Sequence, residues 1–248
     1  MNIVAEAFAW ILDPANIGGP TGWLARLLEQ LAYTFGAVAI AAVIAVPLGY
    51  LVGHTGRGRD IAVALSGSFR ALPSLGVIIL LALGLGIGFR APLLTFVILA
   101  IPPILAGAYA GFEAVDRKTI DAARAVGMTE WQVVTKVEIP LGLPLLIGGI
   151  RSSVLQVVAT ATLAAYVSGG ALGAFIFQAF ATKNYPLALG ASILVTALAL
   201  VLEGIFALLQ KLVVPRGVVA KELKDPRTRS SRPRAVMGNP IQEGKTIT

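Results

Sequence analysis

Long stretches without a charged residue dominate the first 210 positions of the chain. Five of them are long and apolar: 30–56, 71–89, 91–112, 152–182 and 184–202. A helix that crosses the hydrocarbon core of a membrane needs about 20 mostly apolar residues, at a rise of about 1.5 Å each. The pattern therefore predicts an all-α, polytopic membrane protein. Its five transmembrane helices are predicted at 29–53, 62–86, 91–112, 144–167 and 187–209.

The segments on either side of these spans have a different character. In the N-terminal segment, 1–27, the apolar stretch 3–12 is short, contains an acid and has no basic residue before it. A signal peptide has the opposite features, so residues 7–12 are interpreted as an amphipathic piece at the surface. The transmembrane domain is predicted over 28–210. The tail, 211–248, is rich in Pro, Arg and Ser and is predicted to be disordered.

The net charge of +7 would suggest a nucleic-acid partner in a soluble protein, but its distribution argues against one. Nine of the 20 basic residues and three of the 13 acids lie in the tail, so the rest of the chain is almost neutral. Five spans place the two chain ends on opposite sides of the membrane, with seventeen basic residues on the side of the tail and three on the other. The positive-inside rule then puts the N-terminus outside, and the C-terminus and the loop 113–140 in the cytoplasm.

Helix breakers are frequent in and beside the spans. A proline removes a backbone donor and bends its helix, and irregular backbone at membrane depth persists only where it is buried in protein or lines a water-filled cavity. Two interpretations stay open: the breakers line or gate a translocation pathway, or they reflect the ordinary enrichment of Gly and Pro in membrane helices. The main positions are Pro47, Pro73, Pro102, Pro103, Pro144, Gly169 and Gly170.

The loop 113–140 predicts two short helices that meet at a corner. Asp116 is a suitable N-cap for a helix over 117–126, and Gly127 suits the left-handed conformation that ends it. Thr129 opens a second helix, with Gln132 completing a capping box. The small side chains after Asp121, namely Ala122 and Ala123, would let the backbone of another protein approach closely. The helix is either a docking element for a soluble partner or an ordinary solvated loop helix.

The same loop resembles a known family. Asp121-Ala122-Ala123, three residues, Gly127, nine residues and then Val137-Glu138-Ile139-Pro140 is similar to the EAA loop of importer-type (type I) ABC transporter permeases, with Asp for Glu, Val for Ile and Ile for Leu as departures. The resemblance extends over about residues 20–210. Further segments are most similar to the permeases of the glycine betaine, carnitine, choline and proline osmoprotectant subfamily. They are His54–Gly58, Arg70–Leu75, Ile101–Ile104, Ala159–Ala164 and Gly169–Gly173.

The resemblance implies a multi-component importer in a bacterial cytoplasmic membrane. Its expected partners are a second permease chain, identical or paralogous, two cytoplasmic ATPase subunits, an extracytoplasmic substrate-binding protein and membrane lipid. ATP and Mg²⁺ would bind the ATPase subunit, and no cofactor is expected in this chain. The resemblance also implies which residues couple the chain to the ATPase: Asp121, Ala122, Ala123, Gly127, Ile139 and Pro140.

The sequence independently requires that ATP be hydrolysed elsewhere. A phosphate-binding loop needs a Gly five residues before Gly-Lys-Ser/Thr on a strand-to-helix turn. Gly244-Lys245-Thr246 comes nearest, but Asn239 occupies the required position. The chain is therefore expected to be a non-catalytic transport subunit.

Three charged residues fall within or beside the spans: Arg70, Arg151 and Glu203. A charge at the bilayer centre costs about 2.5–3.5 kcal/mol on insertion scales, so such residues usually pair or face a cavity. Glu203 is expected to pair with one of the two arginines, the alternative being a direct role in transport.

The fourth span is followed by a short apolar segment, 171–181, interpreted as a re-entrant element on the outer side. Phe175 and Phe177, together with Phe180, are candidates for a gate or a docking surface for the binding protein. The alternative is an aromatic anchor at the membrane interface.

Two other function classes fit the sequence less well. A carrier driven by an ion gradient normally needs intramembrane acids or internal repeats, and Glu203 is the one such acid. An intramembrane enzyme would need a nucleophile and a base. The chain has no cysteine and a single histidine, and the sequence offers His54 no carboxylate before Asp60. A permease for another small solute is the remaining alternative.

Overall fold

The computed structural model describes residues 2–56, 64, 72–168 and 170–213, and these ranges consist of helices and the turns that join them. Arg70, Gly169 and the tail from residue 214 onward lie outside the described residues, so the expectations placed on them stay as predictions. In chain order the helices are α1 (Ile3–Leu12), α2 (Pro14–Ile17), α3 (Trp23–Thr55), α4 (Ser74–Leu85), α5 (Arg90–Glu113), α6 (Arg117–Ala125), α7 (Glu130–Val133), α8 (Ile139–Ala161), α9 (Ala165–Ser168), α10 (Gly173–Thr182) and α11 (Tyr185–Val213).

Four helical segments of the described chain are long and apolar enough to cross a membrane. They are α3, α5, the segment 130–168 that contains α8, and α11. These confirm four of the five predicted spans. The second predicted span, 62–86, is described mainly over its second half, where α4 lies.

The predicted limits of the first span were too narrow. Helix α3 begins at Trp23, six residues before the predicted start. The prediction relied on the absence of charge, but Arg26 Nη1 lies 2.9 Å from Glu29 Oε2, one helical turn further on. Charged residues that pair at this spacing stabilise a helix, so they do not mark its end.

Helix α5 is the centre of the bundle and packs against both α3 and α8. Small residues allow the close approach, as expected for helices that associate in lipid. A Cβ atom at Gly111 would lie 2.6 Å from the Gly142 carbonyl oxygen, and one at Gly107 would lie 2.8 Å from the Gly149 Cα atom. Helices α5 and α8 therefore touch backbone to backbone at two successive turns.

Gly111→Ala is expected to lower the temperature at which the detergent-solubilised protein loses its monodisperse size-exclusion peak. The added methyl group meets backbone, which cannot rotate away, and overpacking of this kind costs about 1–3 kcal/mol. Gly204→Ala is the matched control because nothing lies within 4 Å of a Cβ at that position, and it should keep or raise that temperature. Equal losses in the two variants would contradict this packing.

The proline pair in α5 does not break the helix. Pro102 and Pro103 are buried, and α5 continues through them from Arg90 to Glu113. Pro103 cannot donate to the Leu99 carbonyl, but Gln156 Nε2 on α8 donates to that oxygen at 3.3 Å. A side chain of the neighbouring helix thus replaces the missing backbone donor, as membrane helices require.

The N-terminal helix is longer than the expected surface piece at 7–12. Helix α1 begins at Ile3, with Asn2 as its N-cap, and it packs against α11. A Cβ at Gly190 of α11 would lie 2.8 Å from the Trp10 ring, so this glycine makes room for the tryptophan. The N-terminal segment is therefore attached to the last span rather than separate from it.

Candidate functional site

Helix α6 has the ends that the sequence predicted. The Lys118 N–H donates to Asp116 Oδ1 at 3.0 Å, which caps the start of the helix. Gly127 has a φ of +87°. Its N–H donates to the Arg124 carbonyl, and the Met128 N–H donates to the Ala123 carbonyl. This hydrogen-bond pattern is a Schellman motif, which needs a left-handed residue at the position of Gly127.

The second helix of the loop leads into a span without a gap. Thr129 and Gln132 form the predicted capping box. A π-helical turn, Val134–Glu138, then joins α7 to α8. Ile139 and Pro140 are the first two residues of α8. Helix α7 and the span therefore form one continuous helical segment.

The structure places the two alanines of the loop motif differently. Asp121 and Ala122 are exposed, whereas Ala123 is only 9% exposed. Ala123 lies on the apolar face of α6 that it shares with the half-buried Ile120, and it packs against the chain itself. Val126, just after the helix, is 79% exposed. The surface open to a partner thus centres on Asp121, Ala122 and Val126.

A charged cluster fixes α6 against α7. Arg124 Nε and Nη2 donate to the two carboxylate oxygens of Glu130 at 2.8 and 2.9 Å, and Arg124 Nη1 lies 3.6 Å from Asp121 Oδ1. The hydrogen bonds to Glu130 raise the pKa of the Arg124 guanidinium above its usual range. A bidentate pair of this kind has a defined geometry, so it holds the corner at Gly127.

His54, at the end of α3, contacts the loop through a residue that sequence reasoning missed. Its Nδ1 atom lies 2.8 Å from Oε2 of Glu138, whose side chain is 4% exposed, and its Nε2 atom lies 3.9 Å from Glu130 Oε2. Asp60 is the first carboxylate after His54 in sequence, but the fold brings Glu138 to this histidine. The two partners are 84 residues apart in sequence, and no local pattern connects them.

A cavity of about 610 Å³ lies beside this contact. It is bordered by the ends of α3 and α5 and by one side of α6. Side chains of both charge signs line it, including His54, Arg117, Asp121, Arg124 and Glu138. Side chains of the loop motif and His54 thus surround the same polar cavity.

Within the membrane-spanning part, Arg151 of α8 and Glu203 of α11 form an ion pair. Arg151 Nε donates to Glu203 Oε2 at 2.8 Å, and Arg151 Nη2 also contacts Glu203 Oε1. Arg151 Nη1 donates to Gln210 Oε1 at 3.1 Å. Glu203 is thus paired with Arg151, one of the two arginines expected as its partner.

The remaining predicted site residues are spread over the bundle. Pro73 is exposed at the start of α4. Phe175 packs on Trp10 at a centroid distance of 5.2 Å, and Phe177 packs on Tyr166 at 4.5 Å. The structure does not bring these residues together with the loop motif, so the predicted positions form separate groups.

Comparison with known proteins gives a consistent assignment. The sequence profile of the family described as "Binding-protein-dependent transport system inner membrane component" matches residues 45–217. The carnitine transport permease protein OpuCB of Listeria monocytogenes is 33% identical over 195 residues, which are 79% of this chain and 89% of that protein. The glycine betaine/carnitine/choline transport system permease protein OpuCB of Bacillus subtilis (strain 168) is 30% identical over 77% of this chain and 88% of its own length.

Solved structures agree on the fold. A chain of the inward-facing MetNI methionine ABC transporter superposes with a TM-score of 0.69 at 24% identity, covering 78% of this chain and 96% of its own. A chain of an amino acid ABC transporter superposes with a TM-score of 0.59 at 19% identity. At these identities the likeness concerns the arrangement of helices.

Proposed function

Because the chain belongs to the family of inner membrane components of binding-protein-dependent transport systems, we propose that it is the permease subunit of an ATP-driven importer of quaternary-ammonium osmoprotectants. The observation that carries the transport role is α6, a short capped helix with an exposed Asp121-Ala122 surface that continues through α7 into a membrane span. The substrate class rests on the relatives, whose names include carnitine, glycine betaine and choline. Proline is the further member of the class that the resemblance suggests.

The proposed assembly contains two permease chains, identical or paralogous, two ATPase subunits and one extracytoplasmic binding protein. ATP and Mg²⁺ bind the ATPase subunits, and this chain contributes no catalytic group. The N-terminus lies outside the cytoplasmic membrane of the bacterium and the C-terminus lies inside, so that the loop at 113–140 meets the ATPase.

In this assembly α6 occupies a cleft of the ATPase. Asp121 and Ala122 contact the partner, while Ala123 and Gly127 set the position and the end of the helix. When ATP closes the ATPase pair, α6 moves as a rigid element. Ile139 and Pro140 carry the movement into α8, since α7, the π-helical turn and α8 follow one another without a break.

The translocation pathway is proposed to run along the broken and proline-containing segments of the spans. Its lining or gate is assigned to Pro73, Pro102, Pro103, Gly169, Gly170, Phe175 and Phe177. Arg70, Arg151 and Glu203 are assigned to ion pairing that orients the helices, with Arg151 and Glu203 in contact.

The substrate class can be tested with the assembled complex in nanodiscs. ATP hydrolysis is measured in the presence of the cognate binding protein and one solute at a time: glycine betaine, choline, carnitine, proline or methionine. Solutes of the osmoprotectant class should stimulate hydrolysis and methionine should not. Stimulation by methionine with no response to the others would favour a permease for another small solute.

A further inference from the structure

Helix α3 runs along the bundle and carries polar anchors near both of its ends. Gln30 and His54 are separated by 24 residues, which correspond to about 36 Å of helix. The helix is continuous between them despite Pro47. It therefore reaches from the loop motif to the opposite end of the bundle.

At the end far from the loop, Gln30 joins two other elements. Its side chain is completely buried. Nε2 donates to the carbonyl of Val158, in the last turn of α8, at 2.9 Å. Oε1 accepts from the Leu172 N–H, just before α10, at 3.1 Å. A buried amide with both of its ends satisfied fixes its partners, because leaving either group unpaired in an apolar setting is costly.

Glu29, next to Gln30, contacts the non-helical residues 170–172 that precede α10, which we call the break. Its Oε2 atom accepts from the Ala171 N–H at 2.8 Å. Ala171 is buried and has a φ of +59°, a conformation that residues other than glycine seldom adopt. Gly170 leaves room for the carboxylate, since a Cβ there would lie 2.7 Å from the same Glu29 oxygen. Strained backbone of this kind persists where its surroundings hold it in place.

At the other end, α3 is attached to the loop by His54. The partner, Glu138, is buried and directly precedes α8. Along the chain, α8 is followed by an irregular 3₁₀ turn, Thr162–Ala164, and by α9 before the break. Within the described residues, the loop is thus connected to the break at 170–172 through α3 as well as through α8.

We propose that α3 is a transmission element that couples the break at 170–172 to movements of the loop. Glu29 and Gln30 are the positioning residues at the break, and His54 with Glu138 joins α3 to the loop. This inference rests on the proposed function, since it assumes that an ATPase drives the loop.

The coupling can be measured with single introduced thiols, because the chain has no cysteine of its own. In Gln178→Cys the thiol stands on α10 at an exposed position. Its maleimide labelling rate is measured in the reconstituted complex without nucleotide and with ATP plus vanadate. The rate should change at least about fivefold between the two states, the lower range of typical coupling effects. An unchanged rate in this otherwise wild-type background would overturn the proposal.

Three variants then remove the two ends of the connection. Gln30→Leu, Glu29→Leu and His54→Leu should each abolish most of the nucleotide-dependent change in labelling. Glu29→Gln keeps an oxygen that accepts from the Ala171 N–H and should restore it. Leu28→Ala is the control, since Leu28 is 58% exposed on the same turn of α3, and it should label like the parent.

The double variant Gln30→Leu/His54→Leu separates transmission from simple stability. If both residues act through α3, the double variant should be no worse than either single variant. Additive losses, or variants that lower the yield of protein but keep the full labelling change, would overturn the proposal. Glu29 is half-exposed, so its variants test the inference even if Gln30→Leu prevents folding.

The wild-type complex distinguishes failure of this inference from failure of the proposed function. If ATP drives no uptake of radiolabelled glycine betaine, choline, carnitine or proline by the wild-type complex, the proposed function and the role of α3 both fall. If uptake is normal and the α3 variants retain their nucleotide response, only the role of α3 falls.

Discussion

Gly127→Leu is expected to reduce recovery of the ATPase subunit with this chain at least about tenfold, while membrane insertion stays normal. A residue other than glycine pays roughly 1–2 kcal/mol in the left-handed region, and 1.4 kcal/mol corresponds to a factor of ten. The Schellman hydrogen bonds at the end of α6 require this conformation at Gly127. Relief of the strain would therefore displace α6 from the position that the ATPase recognises. Co-purification from solubilised membranes measures the effect.

The matched control is Gly127→Asn, because asparagine tolerates the left-handed conformation. Nothing lies within 4 Å of a Cβ at this position, so the two variants differ in backbone preference rather than in a clash. A bulky residue at Ala123 should also prevent association, but by a different route. Ala123 is buried, and a large side chain there would push α6 outward. Wild-type recovery of the ATPase with Gly127→Leu would contradict the proposed role of the loop.

Arg151→Leu is expected to destabilise the protein by on the order of 3 kcal/mol, since it leaves the Glu203 carboxylate without its ion-pair partner. Removal of one member of a desolvated pair costs about 3–5 kcal/mol in soluble proteins, and a charge at the bilayer centre costs about 2.5–3.5 kcal/mol. The two side chains are 29% and 34% exposed, so they are only partly shielded by the chain itself. Thermal stability in detergent, followed by size exclusion, gives the measurement.

The double variant Arg151→Leu/Glu203→Leu should recover most of the lost stability, because replacing both charges by apolar groups removes the unpaired charge. A double variant as unstable as Arg151→Leu would mean that the ion pair is not the source of the effect. Glu203→Gln tests whether this residue also takes part in transport. If it assembles normally and transports fully, Glu203 has no part in the pathway, as the ion-pairing role requires.

Local chemistry explains which parts of the site could be predicted from the sequence. Asp116, Gly127 and the Thr129–Gln132 box act on backbone groups within a few positions of themselves, so their spacing determines the hydrogen bonds that they make. The long apolar runs likewise predicted four spans that the described residues contain. In these cases the determinants lie inside one short segment.

Contacts between distant segments could not be predicted in the same way. In the sequence, Gln30 is a polar residue in an apolar run. Its two hydrogen-bond partners lie 128 and 142 positions further along the chain. Glu138 lies between Val137 and Ile139 in the loop motif, and its contact with His54 depends on how α3 packs beside the loop. The orientation of Ala123 depends on the same packing. The sequence does carry a weak signal, since an uncharged polar residue inside an apolar span needs a hydrogen-bond partner.

The most direct test of the central claim is uptake by proteoliposomes that contain this chain with its ATPase subunit. Radiolabelled glycine betaine and choline are supplied with the binding protein outside, and ATP is sealed inside. Uptake that requires internal ATP, and that fails when the phosphate-loop lysine of the ATPase is replaced, is the result that we expect. Uptake driven by a sodium or proton gradient without ATP would contradict the account and identify the chain as an ion-coupled carrier.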